Sequence, residues 1–277
     1  MAISDLLTQL NTIKQNIKTA INNKGGSVGN NFSTYAAAIA ALPTAPTAPA
    51  ASEVTYGKAD VVTIKPFDST VKSIGDRDFQ SWLHATGLVL ANGFETISDY
   101  AFFGWTNAES ITLSASLLYV RDSAFSGWSK CKALTLPSGL REIGAVAFSG
   151  WSQLASKIII PPSLTVLGVS AFSGASLVPE LEIKEGLAVI PATAFQNLTA
   201  CKKVSLPASI TSMGSNAFAG LSACTEFICL ALTPPSITAS TFASLNSACV
   251  IKVPSAALAA YQAATNWSGH ASKMVGI

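Results

Sequence analysis

Leu134-Thr-Leu136-Pro-Ser-Gly-Leu140-Arg-Glu-Ile143-Gly-Ala-Val-Ala147-Phe148-Ser-Gly-Trp151 is one copy of a phrase that recurs through most of the chain. Phenylalanine stands at 79, 102, 125, 148, 172, 195, 218 and 242, with gaps of 23, 23, 23, 24, 23, 23 and 24. Five residues before each Phe from 102 onward is an apolar residue: Ile97, Val120, Ile143, Leu167, Ile190, Met213 and Ile237. Twelve before it is another, closing an apolar triplet: Leu90, Leu113, Leu136, Ile160, Ile183, Leu206 and Leu230. Seven recurrences at two fixed offsets predict a repeat solenoid, mainly β, with a period of about 23 residues. Within each triplet the outer members are expected in the core and the middle one in solvent, since side chains alternate along a strand. Pro137, Pro161, Pro207 and Pro254 would end strands, where a missing N–H costs least.

Composition removes several function classes. The 277 residues carry 17 basic and 15 acidic side chains, and only 12% are charged. No basic field is present to hold nucleic acid. No run reaches the ~18 apolar residues of a membrane span, so neither nucleic acid nor membrane insertion is expected. The start, Met-Ala-Ile-Ser-Asp-Leu-Leu, lacks the basic and apolar segments of a signal peptide. Five cysteines are odd in number and show no metal spacing. Cys131, Cys201 and Cys224 share one place, six after a Phe, and read as a buried core column. Cys201 and Cys224 would be neighbours in the stack, which leaves a disulfide between them open.

Three segments are expected. Residues 1–42 form a short α-helical module. Its first helix, 3–23, carries Leu6, Leu10, Ile13 and Ile17 as a seam at spacings of 4, 3 and 4, and the second spans about 31–42. The seam suits an oligomerising or docking module, a homotrimer above all; a hairpin packed on the solenoid end is the alternative. Residues 43–53 are a Pro/Ala/Thr linker with polyproline character. Residues 54–277 are the solenoid. Its first turn is irregular, as befits a cap, and a short helix closes it.

The repeats resemble leucine-rich repeats of the BspA type, on the recurring strand, Ile-Gly and Ala-Phe elements over about 54–254. The ending Val250-Ile-Lys-Val-Pro254 followed by Ser-Ala-Ala-Leu-Ala-Ala-Tyr261 is similar to that family's last strand and closing helix. The resemblance implies a curved solenoid used for binding, often bacterial surface adhesion, with no catalysis and no cofactor. The family's Cys after F-x-G is replaced by Trp82, Trp105, Trp128 and Trp151. That column reads either as core packing or as an exposed sugar-stacking platform. Residues 1–42 resemble openings of tailed-phage fibre and decoration proteins. That second resemblance implies a virion surface protein, joined to other virion proteins through 1–42 and touching a host glycan or protein through the solenoid. A bacterial cell-surface adhesion protein is the alternative.

No catalytic constellation is legible. His84 and His270 lie at opposite ends of the array, which rules out a pairing with a nucleophile. Glu180, Glu182 and Glu185 read as a solvated charged face rather than a cation site, and no metal is expected. The candidate ligand face is the row of outward strand residues Thr112, Thr135, Ile159, Glu182, Ser205, Cys229 and Lys252. At ~4.8 Å per turn it suits a shallow glycan or protein contact.

Overall fold

The computed structural model describes residues 52–56, 61–66 and 68–277. The helices and the Leu6, Leu10, Ile13, Ile17 seam expected in 1–42 lie outside the described residues, as does most of the linker. From 52 onward the chain is a parallel β-solenoid of about 9 turns.

Each turn contributes up to two short strands to separate ladders. One ladder opens with the antiparallel hairpin of β1 (Ser52–Tyr56) and β2 (Val61–Pro66) and continues in parallel through β4 (Gly87–Leu90) and β6 (Ser110–Thr112). It resumes as β9 (Ile158–Ile160), β11 (Glu180–Ile183), β13 (Lys203–Leu206), β15 (Glu226–Cys229), β16 (Val250–Val253) and β17 (Met274–Gly276), all parallel. Strand β17, which the periodicity does not announce, adds an edge beyond the last repeat. The second ladder holds two-residue strands that precede the Ile-Gly step. They are β3 (Ser73–Ile74), β5 (Thr96–Ile97), β7 (Tyr119–Val120), β8 (Glu142–Ile143) and β10 (Val166–Leu167), then β12 (Val189–Ile190) and β14 (Ser212–Met213) as a separate pair.

A third wall has no strands. Two residues before each Phe from 79 to 218, at Arg77, Tyr100, Ser123, Val146, Ser170, Thr193 and Asn216, the backbone is left-handed, with φ between 55° and 60°. This turns every second N–H along the stack axis. Ser123, Phe125 and Gly127 donate to the carbonyls of Ala145, Ala147 and Ser149 at 2.8, 2.9 and 2.9 Å. The next turn repeats the pattern onto Val169, Ala171 and Ser173. The backbone is thereby satisfied between turns without a regular strand.

Inside, the phenylalanines stack with nearly parallel rings from Phe79 to Phe242, with ring centroids 5.2–6.1 Å apart. Beside them runs the Trp column, and its position is settled: Trp105, Trp128 and Trp151 are fully buried. Each indole N–H donates to the carbonyl of the Phe 26 residues earlier, at 2.5, 2.8 and 2.7 Å. The sugar-stacking alternative is thereby corrected, because these rings have no free face. Gly168 explains the Ile-Gly step: a Cβ there would meet the backbone of Gly144 and Ala145 at 2.2 Å. Turns can approach this closely only without a side chain.

Two departures from the expected register accompany the intervals of 24. Each interval of 24 holds an extra residue, and the two extras lie in different places. In the turn ending at Phe172 it precedes the strand, since Trp151 to Ile158 is seven residues where Trp128 to Leu134 is six. Beside it, in the turn ending at Phe148, the first ladder is interrupted: Leu134–Leu136 has no strand partner, and Leu134 N–H donates to Ser156 Oγ at 3.1 Å. In the turn ending at Phe242 the extra residue follows the strand. Phe227 and Cys229 therefore point inward, fully buried, and Leu230 is 44% exposed.

The C-terminal end is closed by the helix α1 (Leu258–Ala263) between two 3-10 turns, Ser255–Ala257 and Ser268–Lys273. Tyr261 and Trp267 from this segment are fully buried, and the Trp267 ring lies 5.4 Å from that of Phe242. The Tyr261 hydroxyl donates to Ala231 O at 2.9 Å, and Trp267 Nε1 to Pro235 O at 2.7 Å.

Candidate binding face

The outward row is partly reassigned by this register. Glu182 faces Ile159 on one side and Ser205 on the other; Ser205 faces Ile228, and Ile228 faces Lys252. Lys252 in turn faces Val275 of β17. Ile228 thus takes the place expected for Cys229, whose thiol lies in the core. Thr112 is exposed but belongs to the earlier sheet, opposite Val89. Thr135 is exposed and lies in the turn that interrupts the ladder. Four of the expected residues, Ile159, Glu182, Ser205 and Lys252, therefore share one continuous sheet. Spacing alone could not separate Ile228 from Cys229, because an interval of 24 does not say where its extra residue lies.

A second column on the same face was not foreseen. Glu180, Lys203, Glu226 and Val250 are in register two positions before the first column, and Lys157 precedes Glu180. Charges alternate along it. Lys157 bridges Glu180 at 3.0 Å and Glu182 at 2.8 Å, while Lys184 also pairs with Glu182. Glu226 is shared by Lys203 at 3.1 Å and Lys252 at 2.5 Å. Hydrogen bonds from Lys157 and then Lys184 hold the Glu182 carboxyl below its ordinary range, and those from Lys252 and Lys203 do the same for Glu226. Glu185 instead accepts the Ala208 and Ser209 backbone N–H groups at 2.9 and 3.1 Å. The three glutamates considered as a cation site thus all have protein partners. Among the described residues no group of three or more His, Cys, Asp or Glu is placed to hold a metal ion.

The charges of the face that results are paired with one another. Ile159 is 46% exposed and Val275 41%, so apolar side chains stand at both ends of the row and flank the ion pairs. On the loop that follows β15, Leu232 is 69% exposed at the rim of a shallow cleft of ≈330 Å³, shared with Ala208, Ile210 and Pro234. Such a surface can hold an extended partner through many weak contacts. Among the described residues no helix is long and apolar enough to cross a membrane.

Comparison with protein families finds the BspA type leucine rich repeat region, in six copies, over residues 56–178 and 170–264. The chain belongs to the BspA-type leucine-rich repeat family. A leucine-rich repeat protein of T. pallidum has a similar structure at 20% identity and a TM-score of 0.52, covering 64% of this chain and 89% of that one. A leucine-rich repeat protein of Bacteroides ovatus ATCC 8483 is 17% identical with a TM-score of 0.47, covering 75% of this chain and 70% of that one. The first likeness shows the fold alone. A search of the curated proteins finds no match. The family match does not reach residues 1–42, and nothing in these comparisons supports a virion protein.

Proposed function

We propose that this BspA-type chain is a cell-surface interaction protein that binds a glycan or a protein on the sheet from β9 to β17. The observation that carries the reading is the unbroken row Ile159, Glu182, Ser205, Ile228, Lys252 and Val275, one outward side chain per turn. Stacked arrays commonly use such an extended surface for binding. The family supports the same reading, since its solenoids are typically binding or adhesion proteins, generally at the cell surface, rather than enzymes.

The length of the row and the internal charge pairing favour a broad macromolecular contact over a small ligand, whose sites are concave and mostly enclosed. The test is binding of the purified chain to glycan arrays and to bacterial and host cell surfaces, compared with an Ile159→Glu/Ser205→Arg variant. Both side chains point away from the core, so the variant keeps the wild-type circular dichroism spectrum and loses binding. Undiminished binding by a folded variant would move the site off this face.

A further inference from the structure

The cysteines are not equivalent. Cys201 Sγ lies 3.2 Å from Lys203 O, Cys131 Sγ lies 3.5 Å from Ala133 O, and Cys229 Sγ lies 3.2 Å from the Tyr261 hydroxyl oxygen. Cys224 and Cys249 meet each other. Their sulfurs are 3.7 Å apart in adjacent turns, although Cys249 stands seven residues after its Phe where Cys224 stands six after its own. The extension that would make Cys201 the partner of Cys224 is thus not the contact the fold forms. All five are free thiols.

We propose that Cys224 and Cys249 form a disulfide that clasps the last full turn to the closing segment when the chain meets an oxidising thiol–disulfide pool. A disulfide needs sulfurs about 2.05 Å apart, so closure requires a movement of less than 2 Å across turns spaced ~4.8 Å. Cys249 is the entry point. It is buried at 2% exposure, but Ser247 and Ala248 beside it are exposed. The segment there is held from the closing turn by a hydrogen bond from Lys273 to Ser247 O. The contact with Cys224 holds the Cys249 thiol below its ordinary value against the effect of burial, and Lys273 adds to it. Burial pushes Cys201 up to about 11, which leaves it a poor competitor.

The exchange balances with a small-molecule disulfide as oxidant. The Cys249 thiolate attacks that disulfide, forming a mixed disulfide and releasing one thiol. Cys224 then loses its proton to the medium and attacks Cys249 Sγ, closing the internal S–S bond and releasing the second thiol. Two protein S–H bonds are lost and two small thiols are formed.

The experiment uses the full folded chain with oxidised glutathione, then alkylation in denaturant and mass spectrometry. The expected product has lost the mass of two hydrogens and leaves three cysteines alkylated. Cleavage at both Lys and Glu separates 186–202, 204–226 and 227–252, and the last two must emerge linked. Cys201→Ala keeps the link and Cys249→Ala abolishes it. The oxidised form gains several degrees in unfolding midpoint and returns to the reduced value with a thiol reductant. Five alkylated cysteines, a link through 186–202, or a stable glutathione adduct without an internal link overturns the proposal.

Discussion

Val146 is a β-branched residue at φ 60°, a conformation that Asn216 and Ser123 occupy at the same place in their turns with less steric conflict. The left-handed form is imposed because Val146 N–H must reach Val169 O, at 2.8 Å, to complete the third wall. An L-residue there costs roughly 1–2 kcal/mol. Val146→Asn is expected to stabilise the chain by about 1 kcal/mol, since the side chain is only half-buried and asparagine tolerates this region. Thermal unfolding of the two proteins checks it, and a lower midpoint would show that the lost apolar contact outweighs the relief. None of this strain is visible in the sequence. Ala-Phe announces a turn, but the handedness two residues earlier follows from where the neighbouring turn's carbonyls lie. What was legible at this scale is the Phe column and the buried column that includes Cys131, Cys201 and Cys224.

At the scale of the strand, the alternating charges on Lys157, Glu180, Lys203 and Glu226 give the sheet an acid limb. Glu182 and Glu226 have carboxyls held below the ordinary glutamate value of 4.5 by their lysine partners. A folded-state value lower than the unfolded one contributes stability that is present above 4.5 and lost as pH falls through the folded-state range. The unfolding midpoint is therefore expected to drop on acidification below about pH 4.5, and a Glu182→Gln/Glu226→Gln variant to show a shallower drop. Equal acid limbs in the two proteins would place the effect elsewhere. These pairs are partly solvated, so their weight at neutral pH is small. The sequence disclosed the strands and most of their phase. It failed at Cys229 because counting back from Phe242 assumes a fixed strand-to-Phe interval, which the extra residue after β15 lengthens. The same count succeeded before Phe172, where the extra residue precedes the strand. Opposite faces are one residue apart, so a single insertion exchanges an apolar core residue for a solvent one.

At the largest scale the described residues form a stack in which every turn buries its faces on its neighbours, so its ends need different chemistry from its middle. Recurrence at 23 residues was enough to read the stack. The closure was only partly legible, since the helix could be read but β17 and the packing beneath it could not. The segment after Pro254 covers the Phe242 ring with Trp267, packs Tyr261 at 5.0 Å from Trp267, and adds β17 to the edge of β16. Without it, β16 would present unpaired backbone groups and the last aromatic layer would face water, both invitations to edge-to-edge association. Trp267→Ala removes a fully buried ring together with its bond to Pro235 O and is expected to cost about 3–5 kcal/mol. Removing residues 254–277 altogether should yield a chain that elutes as large aggregates in size-exclusion chromatography, while the Trp267→Ala protein stays soluble with a lower midpoint. A truncated chain that remains monomeric, with the wild-type midpoint and unchanged hydrogen-exchange protection in β15 and β16, would mean that the stack is stable without its lid. The terminal turns would then hold by strand pairing and the Phe column alone.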